Sequence, residues 1–135
     1  SLLNAKYHIS ISHSAGRVAV TGHPTQGVGV DVQHINPKIG RIAGKFLSET
    51  EREQVADVED YLRALHVYWG AKEALYKWYG KKGVDFRAHL AIAPIELQQC
   101  GNLSAQIQLP NHHSQHTLGY EWEDDYALVY VFKDY

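Results

Sequence analysis

The stretch VEDYLRALHVYWGAKEALYKWY, from Val58 to Tyr79 and followed by Gly80, decides how this chain folds. Placed at about 100° per residue, Leu62, Leu65, Trp69, Glu73 and Tyr76 share one stripe, which predicts a long helix closed by Gly80. A carboxylate in an apolar stripe costs free energy on burial unless a cation or a metal compensates it. Lys77, one turn beyond Glu73, leaves two readings open: an i,i+4 surface pair, or a carboxylate set there for another purpose.

Outward from this helix the signals change type. Just upstream, Ser48-Glu49-Thr50-Glu51 has the spacing of a capping box, so a shorter helix is expected from about Ser48 to Asp57, and Ile39 to Leu47 has short helical character behind Pro37. Nearer the start, Tyr7, Ile9 and Ile11 alternate with His8, Ser10 and Ser12 as in a half-buried strand. Ser14-Ala15-Gly16 reads as a turn, Arg17 to Thr21 as a returning strand, Gly22 to Gly27 as a breaker cluster and Val28 to Gln33 as a third strand. Downstream of Lys81 and Lys82, Ala91 to Leu97 is ambiguous and Leu103 to Leu109 alternates. Thr117 to Trp122 is expected to pair with Tyr126 to Phe132 across Glu123-Asp124-Asp125. The fold class expected is α+β, an antiparallel sheet packed against a long helix.

The chain has 135 residues, 13 Lys and Arg against 15 Asp and Glu, nine His, one Cys and no Met. That length suits one domain able to bury a core without disulfides or structural metal. A formal charge of -2 with no basic stripe beyond Lys81-Lys82 argues against nucleic acid or an anionic membrane as main partner. Cys100 cannot form an internal disulfide, which fits a reducing cytosol, and no apolar run approaches the roughly 20 residues of a bilayer span, so a soluble cytoplasmic protein is expected. With no Met, Ser1 reads as a processed start or as a point inside a longer reading frame.

Asp31 is a lone acid in Val28-Gly29-Val30-Asp31-Val32, where β-propensity disfavours it and glycine allows close approach of a ligand or another backbone. Alone it could equally be a turn or cap residue. Together with Glu73 it forms what a hard divalent cation needs, since Mg²⁺ is held by one or two carboxylates while phosphate oxygens and water complete its shell.

At these residues the sequence resembles the 4'-phosphopantetheinyl transferase superfamily, in its long, synthetase-activating form. The family's (V/I)-G-(V/I)-D-(V/I)-E strand is matched by Val28-Gly29-Val30-Asp31-Val32-Gln33, and its W-x-x-K-E-(A/S)-x-x-K helix by Trp69 to Lys77. Lys45-Phe46-Leu47-Ser48-Glu49-Thr50-Glu51 looks like the R-F-F-S-x-x-E segment, and Ile9-Ser10-Ile11-Ser12-His13-Ser14 like N-I-S-H-S. Long-form members are two similar halves in one polypeptide. By that resemblance residues 1–22 are the tail of a first half and residues 27–135 a complete second half. The chain is then expected to be part of a longer protein, or else to complete its site by self-association; the first is the reading adopted.

The resemblance implies transfer of the phosphopantetheine arm of coenzyme A to a serine of an apo acyl or peptidyl carrier protein, with adenosine 3',5'-bisphosphate leaving. It implies that Asp31 and Glu73 hold Mg²⁺, with Gln33 a weak third ligand where many members have Glu. Lys77 and Lys72 would sit against phosphate oxygens, and His13, aided by Ser12, would contact a coenzyme A phosphate. Glu51 matches the family's proposed general base, although it is equally the third residue of the capping box with Ser48. Trp69 is read as packing that fixes the helix on the sheet, and Tyr120, Trp122, Tyr126, Tyr130 and Phe132 as sheet packing. The run His112-His113-Ser114-Gln115-His116 invites zinc, but Pro110 and Asn111 before it predict a solvated hairpin loop. Two competing readings are a non-catalytic coenzyme A or carrier-protein binding module, suggested by Gln33, and a thioesterase-like or purely structural domain, in which Asp31 and Glu73 would not converge.

Overall fold

A computed structural model describes residues 8–23 and 27–134. Tyr7, where the first alternation begins, and Pro24, Thr25 and Gln26 of the breaker cluster lie outside the described residues. Strands β1 (His8–Ser14) and β2 (Arg17–His23) form an antiparallel ribbon turned by Ala15 and Gly16, both at positive φ. Strand β3 (Val30–His34) follows, then a 3-10 turn at Pro37–Arg41 and the short helix α1 (Ala43–Phe46), so the helical character expected for Ile39 to Leu47 divides into two pieces.

Helix α2 (Glu49–Ala56) starts on the expected capping box. The Glu51 N–H donates to Ser48 Oγ at 3.2 Å and the Ser48 N–H to Glu51 Oε1 at 2.9 Å. Helix α3 spans Tyr61–Tyr79 rather than starting at Val58, because Asp60 is its N-cap; Gly80, left-handed at φ 71°, closes it. After the four-residue helix α4 (Phe86–His89) come β4 (Leu90–Ile92), β5 (Cys100–Leu109), β6 (His112–Glu123) and β7 (Tyr126–Asp134). The ambiguous stretch from Ala91 is therefore strand only to Ile92.

Strands β3 to β7 make one antiparallel sheet in the order β3-β7-β6-β5-β4, with α3 packed on it, so the chain is α+β as its pattern indicates. Leu65, Leu75, Ile107, Leu118 and Val129 are all fully buried between helix and sheet, each stabilising the fold by about 1.5–3 kcal/mol. The histidine run is not a loop. Pro110 and Asn111 alone make the turn, and His112 to His116 open β6 opposite Leu109 to Ala105. His116 is buried with its ring edge-on to Trp78, 4.2 Å between centroids, because strand alternation carries every second side chain inward.

Two glycines of the motifs set how closely strand and helix approach. A Cβ on Gly29 would lie 2.0 Å from the Ala74 carbonyl oxygen of α3, and one on Gly70 would lie 2.7 Å from Val129 Cγ2 of β7. The ribbon joins the sheet differently. Ser10, Ser12 and Ser14 accept hydrogen bonds from the N–H groups of Val30 (3.1 Å), Val32 (2.9 Å) and His34 (3.0 Å), so serine hydroxyls satisfy the outward donors of edge strand β3. The other face of the ribbon exposes Ile9, Ile11, Val18 and Val20, each 57–69% accessible, an apolar patch of the kind that interaction surfaces carry.

Candidate functional site: two carboxylates between a strand and a helix

Asp31 is the second residue of β3, with its side chain turned toward α3, 3% exposed. Its Oδ2 would be 3.4 Å from a Cβ on Gly70, so glycine at this point of α3 makes room for the carboxylate. Ser12 Oγ–H donates to Oδ1 at 3.3 Å, and Gln33 Nε2 donates to Oδ1 and Oδ2 at 3.2 and 3.0 Å. Lys77 Nζ lies 3.6 Å from Oδ1 while donating to the carbonyls of Val30 (2.9 Å) and Ile11 (3.3 Å). Burial pushes the Asp31 carboxyl above the usual aspartate value, and these donors only partly offset it.

Glu73, three residues along the helix from Gly70, is half-buried and forms no hydrogen bond or ion pair among the described residues. Burial raises its pKa, the charge of Asp31 raises it further and Lys77 partly offsets both. Lys77 is therefore not Glu73's dedicated surface partner, since its ammonium bridges β1 and β3. The two acids are near enough to repel, desolvated and short of positive charge, which is a donor set suited to a hard cation. Among the described residues no group of three His, Cys, Asp or Glu converges.

Three residues expected at this site lie elsewhere. Lys72 is 0% exposed and donates to Glu51 Oε1 (2.6 Å), Phe46 O (2.6 Å) and Phe86 O (2.9 Å), so all three ammonium protons are committed inside the fold. Burial lowers its pKa, with Glu51 and then Asp85 opposing the shift. Glu51, 2% exposed, also receives the Ser48 N–H and, on Oε2, the Ile92 N–H at 2.7 Å. Its charge is felt nearby, since Tyr68, already desolvated, is pushed up to about 12 with Glu51 contributing. Lys72 and Glu51 are thus a buried ion pair inside the fold. His13 is exposed on the face of β1 opposite Ser12, beside Ile11 and Val18 rather than beside the carboxylates.

Trp69 packs against the rings of Phe46 (5.0 Å) and Phe86 (5.5 Å), on α1 and α4. Tyr76 also meets Phe86 at 5.5 Å, so an aromatic wall flanks Glu73 along the helix. Sequence reasoning does not find Phe86, which lies on a single helical turn without periodicity. On the other flank a cavity of about 460 Å³ is lined by Gln33, His34, Ile39, His66 and Trp69, among others. His66 is buried there, with Nδ1–H donating to Leu62 O (2.8 Å) and Nε2 accepting the Asn36 N–H (3.0 Å).

Comparison with known proteins adds to this geometry. The model of the 4'-phosphopantetheinyl transferase superfamily matches residues 27–131. The chain is 30% identical over 125 residues to 4'-phosphopantetheinyl transferase Sfp of Bacillus subtilis (strain 168), an alignment covering 90% of this chain and 53% of that protein. It is 28% identical over 125 residues to a 4'-phosphopantetheinyl transferase of Bacillus subtilis, with the same 90% and 53% coverage. The chain spans about half the length of the curated relatives it matches.

Proposed function

The chain belongs to the 4'-phosphopantetheinyl transferase superfamily, and from that premise we propose that it takes part in Mg²⁺-dependent transfer of the phosphopantetheine arm of coenzyme A to a serine hydroxyl of an apo carrier protein. In that reaction the serine oxygen forms a bond to the pyrophosphate phosphorus that carries the arm, the bond to adenosine 3',5'-bisphosphate breaks, and the serine proton is released. The observation that carries the reading is the pairing of Asp31 and Glu73, two desolvated carboxylates from different elements with too little positive charge between them.

Asp31 and Glu73 would hold Mg²⁺, with the Gln33 amide beside them; bound there, the ion would neutralise pyrophosphate charge. Ser12 and Gln33 orient Asp31 through the hydrogen bonds described. Lys77, 30% exposed at its side chain, turns a partly accessible ammonium toward this edge as a point charge for a phosphate oxygen. His13, exposed on the ribbon, is the candidate contact to another phosphate of coenzyme A. Phosphoryl transfer relies mainly on positioning and charge neutralisation, which these residues supply without a dedicated base. Glu51 and Lys72 act by fixing the frame that holds α3.

The test is mass spectrometry of an apo carrier protein incubated with coenzyme A, Mg²⁺ and the chain. A gain of about 340 Da marks transfer of the arm, and Asp31→Asn or Glu73→Gln is expected to abolish it. Coenzyme A binding without any mass gain would refute the transferase reading and leave a binding module, the alternative that the amide at Gln33 favours.

A further inference from the structure

The run His112-His113-Ser114-Gln115-His116 takes no part in the chemistry proposed above, and its place in a strand changes what its pattern means. At the start of β6 the side chains alternate, so His112, Ser114 and His116 share the face turned to α3 while His113 and Gln115 are exposed on the other. Residues four apart in a strand stand about 13 Å from each other along the backbone. Both histidine rings nevertheless lean inward to one point, with His112 Nε2 at 2.8 Å and His116 Nε2 at 2.7 Å from Ser114 Oγ. The last turn of α3 holds them in that pose. His116, 1% exposed, lies against the Trp78 ring at 4.2 Å, and His112 meets the rings of Tyr79 at 5.1 Å and Trp78 at 6.1 Å.

Two ring nitrogens aimed at one point supply half of a tetrahedral zinc shell. The serine hydroxyl has one hydrogen, so it donates to one imidazole and accepts from the other. One ring therefore presents a bare nitrogen to that point, and the other presents an N–H whose proton passes to Nδ1 when the nitrogen takes a metal. With Zn–N bonds of about 2.0–2.1 Å, an ion at the point draws each ring in by about 0.7 Å while the Ser114 hydroxyl rotates aside. His112 and Ser114 are half-buried, so water reaches the remaining coordination positions from their side. No third His, Cys, Asp or Glu joins the pair among the described residues, which makes this an exchangeable two-imidazole site rather than a closed structural centre. Imidazole nitrogens suit Zn²⁺, whereas Mg²⁺ takes oxygen ligands. Strand β7 stands between β6 and β3, so the pair is separate from Asp31 and Glu73.

We propose that His112 and His116, with Ser114 between them, bind Zn²⁺ at the start of β6 and so lock the two rings that pack against Trp78 and Tyr79. The inference stands on β6 and α3 alone and does not depend on the transferase reading.

The experiment is isothermal titration of the chain with zinc chloride, with Mg²⁺ in excess to compete at Asp31 and Glu73. A single saturable site is expected, weakened at least about 10-fold by His112→Gln and unaltered by His113→Gln, whose side chain is on the opposite face. Zn²⁺ is expected to raise Tm in the wild type and not in His112→Gln, and circular dichroism melting confirms that this variant folds. A second measurement needs no variant: in the wild type, Zn²⁺ is expected to shift the Nε2 nitrogen resonances of His112 and His116 together and to leave those of His66 and His113 in place. Zn²⁺ affinity unaltered in His112→Gln overturns the inference, since the ion then binds elsewhere. So does a loss of affinity in Cys100→Ser, His113→Gln or Glu73→Gln equal to that in His112→Gln, and so does a zinc titration that moves neither ring of the pair.

Discussion

Replacing Lys72 by Met tests whether the acid and base of the K-E helix motif and the capping box are a sealed structural pair. Lys72 Nζ is held by Glu51 Oε1 at 2.6 Å and by the carbonyls of Phe46 and Phe86, so one ammonium ties α3 to α1, α2 and α4. Met fills similar volume but leaves Glu51, 2% exposed, with a buried charge and only the Ser48 and Ile92 amides to hold it. Removing one partner of a buried pair costs about 3–5 kcal/mol, against a total of about 5–15 kcal/mol for a domain of this size. At about 3–4 °C per kcal/mol, Tm falls by about 10–20 °C. Urea unfolding followed by tryptophan fluorescence measures the loss, and an unchanged slope shows that the same surface is exposed. Adding Glu51→Gln to Lys72→Met removes the stranded charge, so the double-mutant cycle departs from additivity by about 2 kcal/mol or more. A cost under about 1 kcal/mol for Lys72→Met, or an additive cycle, refutes the sealed pair. The result also bears on chemistry. Glu51→Gln is expected to lower activity only through the folded fraction, whereas a general base at Glu51 would lose about 100-fold or more in kcat while fully folded.

Four other outcomes follow from the geometry. In EDTA, Glu73→Gln raises Tm because it removes a desolvated charge facing Asp31, and Mg²⁺ at about 100 times its Kd stabilises the wild type by about 2.7 kcal/mol but not this variant; a Tm insensitive to Mg²⁺ in the wild type would remove the metal role. Both carboxyls have folded pKa values above their ordinary ones, 3.8 for Asp31 and 4.5 for Glu73, so the stability they contribute is complete below those values and is lost as pH rises through the folded values; metal-free melting from about pH 4 upward checks this. Gly29→Ala forces a Cβ to within 2.0 Å of the Ala74 carbonyl, parting β3 from α3, and costs about 3 kcal/mol in urea unfolding; a cost near zero would mean that the strand does not press on the helix. Burial lowers the pKa of His66 below 6.5, so its neutral ring contributes stability that is complete above 6.5 and lost as pH falls from there through the folded value. His66→Asn is expected to flatten that slope between about pH 7.5 and 5.5, and an unchanged slope would assign it to other groups.

Much of the frame is legible one segment at a time, because it depends on neighbours in the chain. Buried Leu103, Ala105, Ile107 and Leu109 of β5 alternate as their sequence does, and Ser48 and Glu51 cap α2 because three residues of helix bring them together. Helix α3 ends at Tyr79 because Gly80 accepts a left-handed conformation. The candidate carboxylates Asp31 and Glu73 also stand out in sequence, since an acid among apolar residues conflicts with its own local pattern.

Which way each charged side chain turns was decided only by tertiary structure. Lys72 and Glu73 are adjacent, but about 100° of helical rotation sends the first inward to Phe46, Glu51 and Phe86 and the second out beside Asp31. No local signal tells the two apart, because Lys72's acceptors lie 14 to 26 residues away in the chain. The same holds for Ser12, whose hydroxyl stitches β1 to β3 across 20 residues, and for His116, which polarity places in a loop and strand alternation places against Trp78. Period, caps and turns, which act over a few residues, set the elements and the residue types able to do chemistry. Packing of α3 against the sheet, made close by Gly29 and Gly70, determined which of those residues share a site and which hold the frame, because burial and charge pairing exist only between segments that folding brings together.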